Sequence, residues 1–194
     1  MKSIVVFCGA NYGYNNVYAD VAYEMGSTLA QKGIQIINGG SKLGLMGAVS
    51  EGALQQGGKV IGVIPYFLQQ KEIVHDALTE LILVETMHER KQKMYQLCDA
   101  VIALPGGWGT LDELFEMMTW AQLGLHQKPI GILNINGYYE PFIVMLQNMV
   151  AEGFVKEDFM SMIVIGNDKE ELLDKMMQYQ APSLPVRWLN PNKT

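Results

Sequence analysis

Short apolar runs rich in Val and Ile recur along the chain, and most are followed by a turn and a longer segment with helical periodicity. Runs that are apolar throughout, rather than alternating, are typical of strands covered on both faces of a parallel sheet. This order of elements predicts repeated β–α–β units. The predicted strands are Ser3–Cys8, Ile34–Asn38, Val60–Ile64, Leu81–Glu85, Ala100–Leu104, Ile130–Asn134 and Met162–Ile165.

The segments between these runs predict helices. In the first of them, Val17, Val21, Met25 and Leu29 recur on one face, and Gly33 follows as a C-terminal cap. Strands that alternate with helices predict an open, doubly wound α/β sheet of about six to seven parallel strands, with helices on both faces. Ligands of such sheets bind beyond the carboxyl ends of the strands. The predicted helices are Val17–Lys32, Leu45–Gln56, Met87–Leu97, Leu111–Leu123, Tyr139–Glu152 and Lys169–Tyr179.

The charge and hydropathy of the chain exclude several kinds of partner. Its 194 residues include 14 Lys and Arg against 20 Asp and Glu, which gives a formal net charge of −6. That balance provides no broad basic surface, so we expect neither nucleic acid nor an anionic membrane as a partner. The apolar stretch at the N-terminus is far shorter than the roughly 20 residues of a membrane span, and it lacks the longer apolar region of a signal peptide.

Cysteine usage indicates a reducing compartment. Cys8 and Cys98 lie in apolar surroundings, and no group of Cys and His has the short spacing of a metal site. We therefore expect a cytoplasmic protein without a disulfide framework or a bound metal. No linker interrupts the chain before Ala181, which predicts a single domain over residues 1–180. Residues 181–194 are rich in Pro and have no periodicity, and are predicted to form a C-terminal tail.

Glycines cluster where three of the predicted strands end. Glycine lets backbone N–H groups approach an anion closely, and the helix that follows offers its positive end. Three such loops at one edge of a sheet favour a phosphate-bearing ligand over simple tight turns. The loops lack the P-loop sequence of ATPases and the G-x-G-x-x-G spacing of NAD dehydrogenases. The candidate phosphate-binding residues in these loops are Gly9, Gly39, Gly40, Gly106, Gly107, Trp108, Gly109 and Thr110.

Two interpretations fit the carboxylates that follow the third loop. Thr110 and Glu113 have the spacing of a capping box, in which Glu113 would have only a structural role and Asp112 would favour the helix dipole. Alternatively, a carboxylate in the first turn beside a phosphate-binding loop is placed to act on the sugar attached to that phosphate. These residue types alone leave both interpretations open.

Arginine usage favours a functional site. Arg90 is one of two arginines in the chain and lies where a predicted helix begins after a strand, at the same edge of the sheet. Its planar fork suits bidentate contacts with phosphate or carboxylate. Lys91 follows it near the apolar seam of the helix, where it either covers apolar surface or reaches into the site.

Two segments together resemble the paired signature motifs of the LOG (Lonely Guy) family: residues 87–91, MHERK, and residues 105–113, PGGWGTLDE. The family comprises cytokinin riboside 5′-monophosphate phosphoribohydrolases, which are often mislabelled lysine decarboxylases. The resemblance extends from the first glycine loop to about Gln180. The second loop departs from the family pattern, because Ser41 and Lys42 replace a glycine and a serine.

This resemblance implies a Rossmann-like fold, a homodimer and a nucleotide-binding domain. The implied reaction is hydrolysis of the bond between ribose 5-phosphate and an adenine that carries a substituent on its exocyclic amine, with a nucleoside monophosphate as substrate and no cofactor. Arg90 and Glu113 match the catalytic pair of the family, and Glu72 stands where a substrate-contacting glutamate is expected. Lys91 and Asp112, the neighbours of the pair, are predicted to contact the substrate as well.

An alternative hypothesis is a non-enzymatic nucleotide-binding module, such as the carriers of molybdenum cofactor that share this fold. A carrier needs a phosphate loop but no carboxylate at the sugar, so Arg90 and Glu113 together favour the enzyme. DNA processing is disfavoured by the net charge of −6. Lysine decarboxylation is disfavoured because no Schiff-base lysine with an acidic partner can be identified.

Overall fold

One parallel sheet organises the chain, in a computed structural model that describes residues 1–69 and 74–182. The strands are β1 (Ser3–Phe7), β2 (Gln35–Asn38), β3 (Val60–Pro65), β4 (Glu80–Val84), β5 (Ala100–Ala103), β6 (Ile130–Leu133) and β7 (Ile163–Gly166). The helices are α1 (Val17–Gln31), α2 (Gly44–Gln55), α3 (Tyr66–Gln69), α4 (Met87–Leu97), α5 (Trp108–Gln122), α6 (Glu140–Ala151) and α7 (Lys169–Met177). Two short 3-10 helices, Ile135–Gly137 and Glu157–Met162, flank α6.

The strand order is β4-β3-β2-β1-β5-β6-β7, and every pair is parallel. The chain moves outward from β1 to β4, returns to the other side of β1 as β5, and then moves outward again. The order therefore reverses between β1 and β5, and the helices that follow these two strands pack on opposite faces of the sheet. This reversal creates the crevice in which doubly wound sheets bind their ligands.

Helices cover both faces of the sheet, because strand residues alternate between two apolar cores. In β1, Ile4 and Val6 enter the core formed with α1, α2 and α7. Val5 and Phe7 enter the opposite core, formed with α4, α5 and α6. The predicted doubly wound α/β fold is confirmed, including seven strands at the upper end of the expected number.

The bounds of the predicted strands and helices agree with the structure to within two residues, except at the start of α5, and the two 3-10 helices were not predicted. Helix α3 was not predicted, and α5 begins at Trp108 with Gly107 as its N-cap rather than at Leu111. Glycine in a sequence suggests a loop because its backbone is flexible, but its cost in a helix is at most about 1 kcal/mol relative to alanine, which does not prevent α5 from starting here. In the described ranges, no helix combines the length and apolar composition needed to cross a membrane.

Candidate active site

A cavity of about 460 Å³ opens at the carboxyl ends of β1 and β5, where the strand order reverses. The loop after β1 and the loop after β5 meet there, because the Gly9 amide donates a hydrogen bond to the Pro105 carbonyl at 3.0 Å. Side chains from α2 and α4 complete the wall. The lining residues are Cys8, Gly9, Ala10, Asn11, Tyr12, Gly13, Tyr18, Leu45, Met46, Met87, Arg90, Pro105, Gly106, Gly107, Gly109, Thr110, Glu113 and Tyr138.

The loop after β5 turns its carbonyls toward protein donors. Leu104, Pro105, Gly106 and Gly107 each have a carbonyl that accepts a hydrogen bond from the protein. In the described residues, by contrast, no protein acceptor binds the amides of the next stretch, 106–110. These amides include the free N–H groups at the positive end of α5. Such an arrangement of donors is suited to binding an anion.

Arg90 lies in the first turns of α4, whose start is fixed by two side chains. The Thr86 hydroxyl accepts a hydrogen bond from the Glu89 amide at 3.1 Å, and the Glu89 carboxylate accepts one from the Glu85 amide at 2.9 Å. Arg90 itself is only 6% exposed, and its Nε has no hydrogen-bond partner among the described residues. A buried guanidinium group without a protein acceptor is costly unless a ligand completes it. Its position beside the cavity favours an anionic ligand.

Glu113 projects from the second turn of α5 into the same cavity and is half-buried. Burial raises the pKa of its carboxyl to about 7, while the positive charge of Arg90 opposes the rise. The neighbouring charges of Asp112 and Glu116 raise the pKa further, and Lys91 lowers it. A carboxyl with such a pKa exchanges a proton near neutral pH, as a general base must.

The predicted capping box at Thr110 and Glu113 is wrong. Gly107 is the N-cap of α5, and in the part of the chain that the structure describes no side chain makes a capping hydrogen bond to this helix. Thr110 is a buried residue inside the first turn, and Glu113 lies in the second turn, so neither has the position that a capping box requires. The alternative placement of Glu113 in the first turn is wrong for the same reason. The structural interpretation of Glu113 loses its physical basis, and the carboxylate is left facing the cavity.

Lys91 joins α4 to α5. Its Nζ lies 3.2 Å from a carboxylate oxygen of Asp112 and 3.1 Å from one of Glu116. Burial of Lys91 opposes its charge, but the two acidic partners outweigh burial and raise its pKa. Since Arg90 precedes Lys91 and Glu113 follows Asp112, this ion-pair group holds together the two helices that carry the cavity's charged residues.

Comparison with known proteins agrees with these features. A family model described as "Possible lysine decarboxylase" matches residues 46–176. The chain is 47% identical over 176 residues to the probable cytokinin riboside 5′-monophosphate phosphoribohydrolase LOGL1 of Oryza sativa subsp. japonica, covering 91% of this chain and 79% of the relative. It is 43% identical over 178 residues to the cytokinin riboside 5′-monophosphate phosphoribohydrolase LOG1 of Arabidopsis thaliana, covering 92% and 84%. The chain belongs to the LOG family.

Solved structures share the fold of this LOG-family chain. The molybdenum cofactor binding protein of Rippkaea orientalis superposes with a TM-score of 0.69 at 23% identity, covering 92% of this chain and 97% of that one. DNA processing protein A of Helicobacter pylori gives a TM-score of 0.59 at 12% identity, covering 91% and 80%. At such low identities these likenesses concern the architecture alone.

The structure places the predicted residues of the LOG-family chain in two groups. Several line the cavity, namely Gly9, Arg90, Gly106, Gly107, Gly109, Thr110 and Glu113. Others lie outside its lining, namely Gly39, Gly40, Lys91, Trp108 and Asp112. Trp108 is 92% exposed at the start of α5. Glu72 lies outside the described residues.

Gly39 and Gly40 shape the site from behind its wall. A Cβ at Gly39 would lie 2.0 Å from Nη2 of Arg90, so only glycine admits the guanidinium group there. Gly40 has a φ of +78° and donates a hydrogen bond to the Asn38 side chain. Lys42, which replaces a serine of the family pattern, pairs with Asp76 at 3.3 Å. The loop after β2 thus contacts Arg90 rather than lining the cavity with its glycines.

Some lining residues of the cavity were not predicted from the sequence. Tyr12 and Tyr18 come from the region after β1, and Tyr138 comes from the segment after β6. Cys8 also lines the cavity, and burial together with the charge of Glu113 raises the pKa of its thiol. The Asn-Gly pair after β6 is the one sequence signal that could have indicated Tyr138, since it predicts a turn back to the binding edge.

Proposed function

We propose that this LOG-family chain hydrolyses the N-glycosidic bond of adenosine 5′-monophosphates, including those substituted on the exocyclic amine. The products are the free base and ribose 5-phosphate. One observation carries the proposal: Arg90, Glu113 and the anion-binding amides face the same cavity at the β1–β5 reversal. The cytokinin riboside 5′-monophosphate phosphoribohydrolases that it resembles at 43–47% identity support it.

The 5′-phosphate is bound by the free amides at the start of α5 and by Arg90. The amides supply hydrogen bonds and the positive end of the helix, and Arg90 supplies a full positive charge. Binding the phosphate at a distance from the reacting bond fixes the position of the ribose. The anomeric carbon then lies near the Glu113 carboxylate.

Glu113 acts on the sugar during bond cleavage. As the bond between the anomeric carbon and the base breaks, its electron pair leaves with the base, and positive charge develops on the ribose ring. The carboxylate stabilises that charge, as in glycoside hydrolysis. Water then adds to the anomeric carbon and gives its proton to Glu113, while the departing base takes up a proton from solvent. Lys91 favours the charged form of Glu113, and its ion pair with Asp112 holds α4 against α5.

An assay with purified protein tests this function. AMP and isopentenylated AMP should each yield ribose 5-phosphate, whereas adenosine should react poorly because it lacks the anion that the amides and Arg90 bind. Equal kcat/KM values for AMP and adenosine would contradict the proposal. Binding of AMP without any release of ribose 5-phosphate would instead support a nucleotide-binding module.

We propose that the protein acts as a cytoplasmic homodimer formed by a single nucleotide-binding domain, without nucleic acid as a partner. An apolar groove of about 170 Å³ between α5 and α6 supports self-association, since it is lined by residues such as Phe115, Met118 and Met149. On the same helix as Met149, Val144 is 60% exposed. A second copy would cover this surface. Sedimentation at the monomer mass of 21.6 kDa under micromolar conditions would contradict the homodimer.

A further inference from the structure

The segment after β6 brings two consecutive tyrosines to the loop after β5. Asn136 has a φ of +52° and Gly137 a φ of +70°, and these left-handed residues reverse the chain direction. The buried Asn134 side chain holds the two sides of this turn together, because it accepts a hydrogen bond from the Tyr139 amide at 2.8 Å and donates one to Glu140 at 2.6 Å. The positions of both tyrosine rings are therefore set by the fold.

The two hydroxyls bind different carbonyls of that loop. Tyr139 is buried, and its hydroxyl donates to the Leu104 carbonyl at 2.6 Å. Tyr138 is 40% exposed and lines the cavity, and its hydroxyl donates to the Gly106 carbonyl. Tyr138 also packs edge-to-face between Tyr18 and Tyr139, with ring centroids 5.8 Å and 5.1 Å apart. Its ring is thus held on both sides.

The hydrogen bond from Tyr138 controls the orientation of a whole peptide unit. A trans peptide is planar, so the Gly106 carbonyl and the Gly107 N–H point in opposite directions and turn together. Both flanking residues are glycines, for which rotation of that unit meets little steric resistance. Without a donor at the Gly106 carbonyl, the unit can rotate and bring a carbonyl oxygen toward the place where the phosphate is bound.

We propose that Tyr138 is a positioning residue for the phosphate subsite. Its hydroxyl holds the Gly106 carbonyl away from the anion and keeps the Gly107 amide in the donor set. This inference rests on the proposed function, because it concerns the 5′-phosphate of that substrate. It assigns Tyr138 a role in binding the phosphate half of the substrate and none in bond cleavage.

Tyr138→Phe tests the proposal, with Tyr139→Phe as the matched control. Each variant loses one hydroxyl that donates to a carbonyl of the same loop. Calorimetric titrations should measure the affinity of each protein for ribose 5-phosphate and, separately, for adenine. Loss of one hydrogen bond that orients the peptide should weaken ribose 5-phosphate binding by Tyr138→Phe about five- to tenfold. Adenine binding should not change.

Kinetics and stability provide the second readout. Tyr138→Phe should raise KM for AMP by a similar factor and change kcat by less than about twofold, because the transition state at the sugar is untouched. Tyr139→Phe should lower Tm, since it leaves a buried carbonyl unpaired, and leave the affinity for ribose 5-phosphate unchanged.

Three results would overturn the inference: unchanged ribose 5-phosphate affinity in Tyr138→Phe, an equal loss of adenine affinity, or an equal loss of ribose 5-phosphate affinity in Tyr139→Phe. The last would mean that any loosening of the loop has the same effect. Failure of the proposed function is distinguishable, because it would appear in the wild-type protein as absence of ribose 5-phosphate release from AMP.

Discussion

The loops after β2 and β5 are both rich in glycine and end at the same edge of the sheet, yet they use their backbone groups differently. In the loop after β2, the Gly40 amide bonds the Asn38 side chain and the Leu43 amide bonds the Ser41 hydroxyl. In the loop after β5, the carbonyls are bound and a continuous run of amides is free of protein acceptors, as far as the described residues go.

The difference teaches that glycine content does not identify an anion site by itself. Glycine in the loop after β2 serves close packing, since Gly39 contacts Arg90 where a Cβ has no room. Glycine in the loop after β5 leaves N–H groups accessible at the start of a helix. The hydrogen-bond partners of each amide, rather than the number of glycines, separate a packing loop from a binding loop.

Arg90→Ala should have the largest effect, because Arg90 contacts the loop after β2 and faces the cavity beside the loop after β5. Loss of a buried charge that pairs with phosphate costs several kcal/mol, so we expect kcat/KM for AMP to fall roughly a thousandfold. Steady-state kinetics measure the effect, and the far-ultraviolet circular dichroism spectrum controls for folding. A kcat/KM equal to that of the wild type would show that Arg90 does not bind the substrate.

Gly39→Ala should act through Arg90. The added Cβ would meet Nη2 at 2.0 Å and displace the guanidinium group, and a shift of this size at a substrate-positioning residue should lower kcat/KM about ten- to a hundredfold.

A double-mutant cycle with Arg90→Ala provides the control. If Gly39 acts only by admitting Arg90, then Gly39→Ala should cause no further loss in the Arg90→Ala background. Additive losses would show that the loop after β2 binds the substrate directly, which would contradict the distinction between the two loops.

Gly109→Ala should separate stability from binding in the loop after β5. Apart from its chain neighbours and the backbone of its own helix, no heavy atom of the described residues lies within 4 Å of the position of its Cβ, and Ala is favoured over Gly in a helix by up to about 1 kcal/mol. The free energy of unfolding should therefore not fall. Because Gly109 lines the cavity, the new methyl group should raise KM for AMP about threefold or more. If KM for AMP is lower than in the wild type while stability is retained, the substrate does not lie against Gly109.

The smallest effects should come from substitutions of Lys91 and Asp112, which shift the pH dependence of kcat/KM through the pKa of Glu113. With a pKa of about 7, Glu113 is the required carboxylate only above neutral pH, so kcat/KM should rise as pH increases through about 7. Lys91→Ala removes a charge that lowers this pKa and should move the rise to higher pH. Asp112→Asn removes one that raises it and should move the rise to lower pH.

The phosphate of the substrate titrates in the same way with either variant. The difference between the two pH profiles therefore reports on Glu113 alone. The shift in Asp112→Asn should be the smaller one, because solvent screens the 62% exposed Asp112 side chain, whereas the Lys91 side chain is 13% exposed. Shifts in the same direction would contradict the electrostatic account of Glu113.

The sequence predicted the strands and most helix bounds, because apolar runs and helical stripes depend on residue type alone. Gly33 illustrates this: its φ of +71° ends α1 as expected. The start of α5 was wrong because Gly107 and Gly109 resemble loop residues until the cap geometry is known. The fold thus follows from local pattern, whereas the ends of elements depend on contacts.

The site was predicted less completely. Arg90 and Glu113 were identified by their motifs and lie at the predicted edge. Tyr138 was missed because it is about thirty residues beyond the loop that it contacts, and only the sheet order brings β6 next to β5. The sequence also did not show that the loop after β2 packs against Arg90 while the loop after β5 has free amides. The hydrogen-bond partners of these amides are known only once the chain is folded.

Glu113 carries the central claim, because stability and activity should change in opposite directions when its charge is removed. Its pKa rises from 4.5 to about 7 on folding, so the carboxyl stabilises the fold below its unfolded pKa, and this contribution is lost as pH rises through about 7. Glu113→Gln stays neutral and should be more stable than the wild type above neutral pH, by roughly 1 to 3 kcal/mol.

The most direct measurement is kcat for AMP in Glu113→Gln at pH 8, with the free energy of unfolding determined on the same preparation. We predict a kcat at least about a hundredfold lower, substrate affinity close to that of the wild type, and a fold that is at least as stable. Near-native turnover in this variant would contradict the assignment of Glu113 to bond cleavage and would favour a nucleotide-binding module instead.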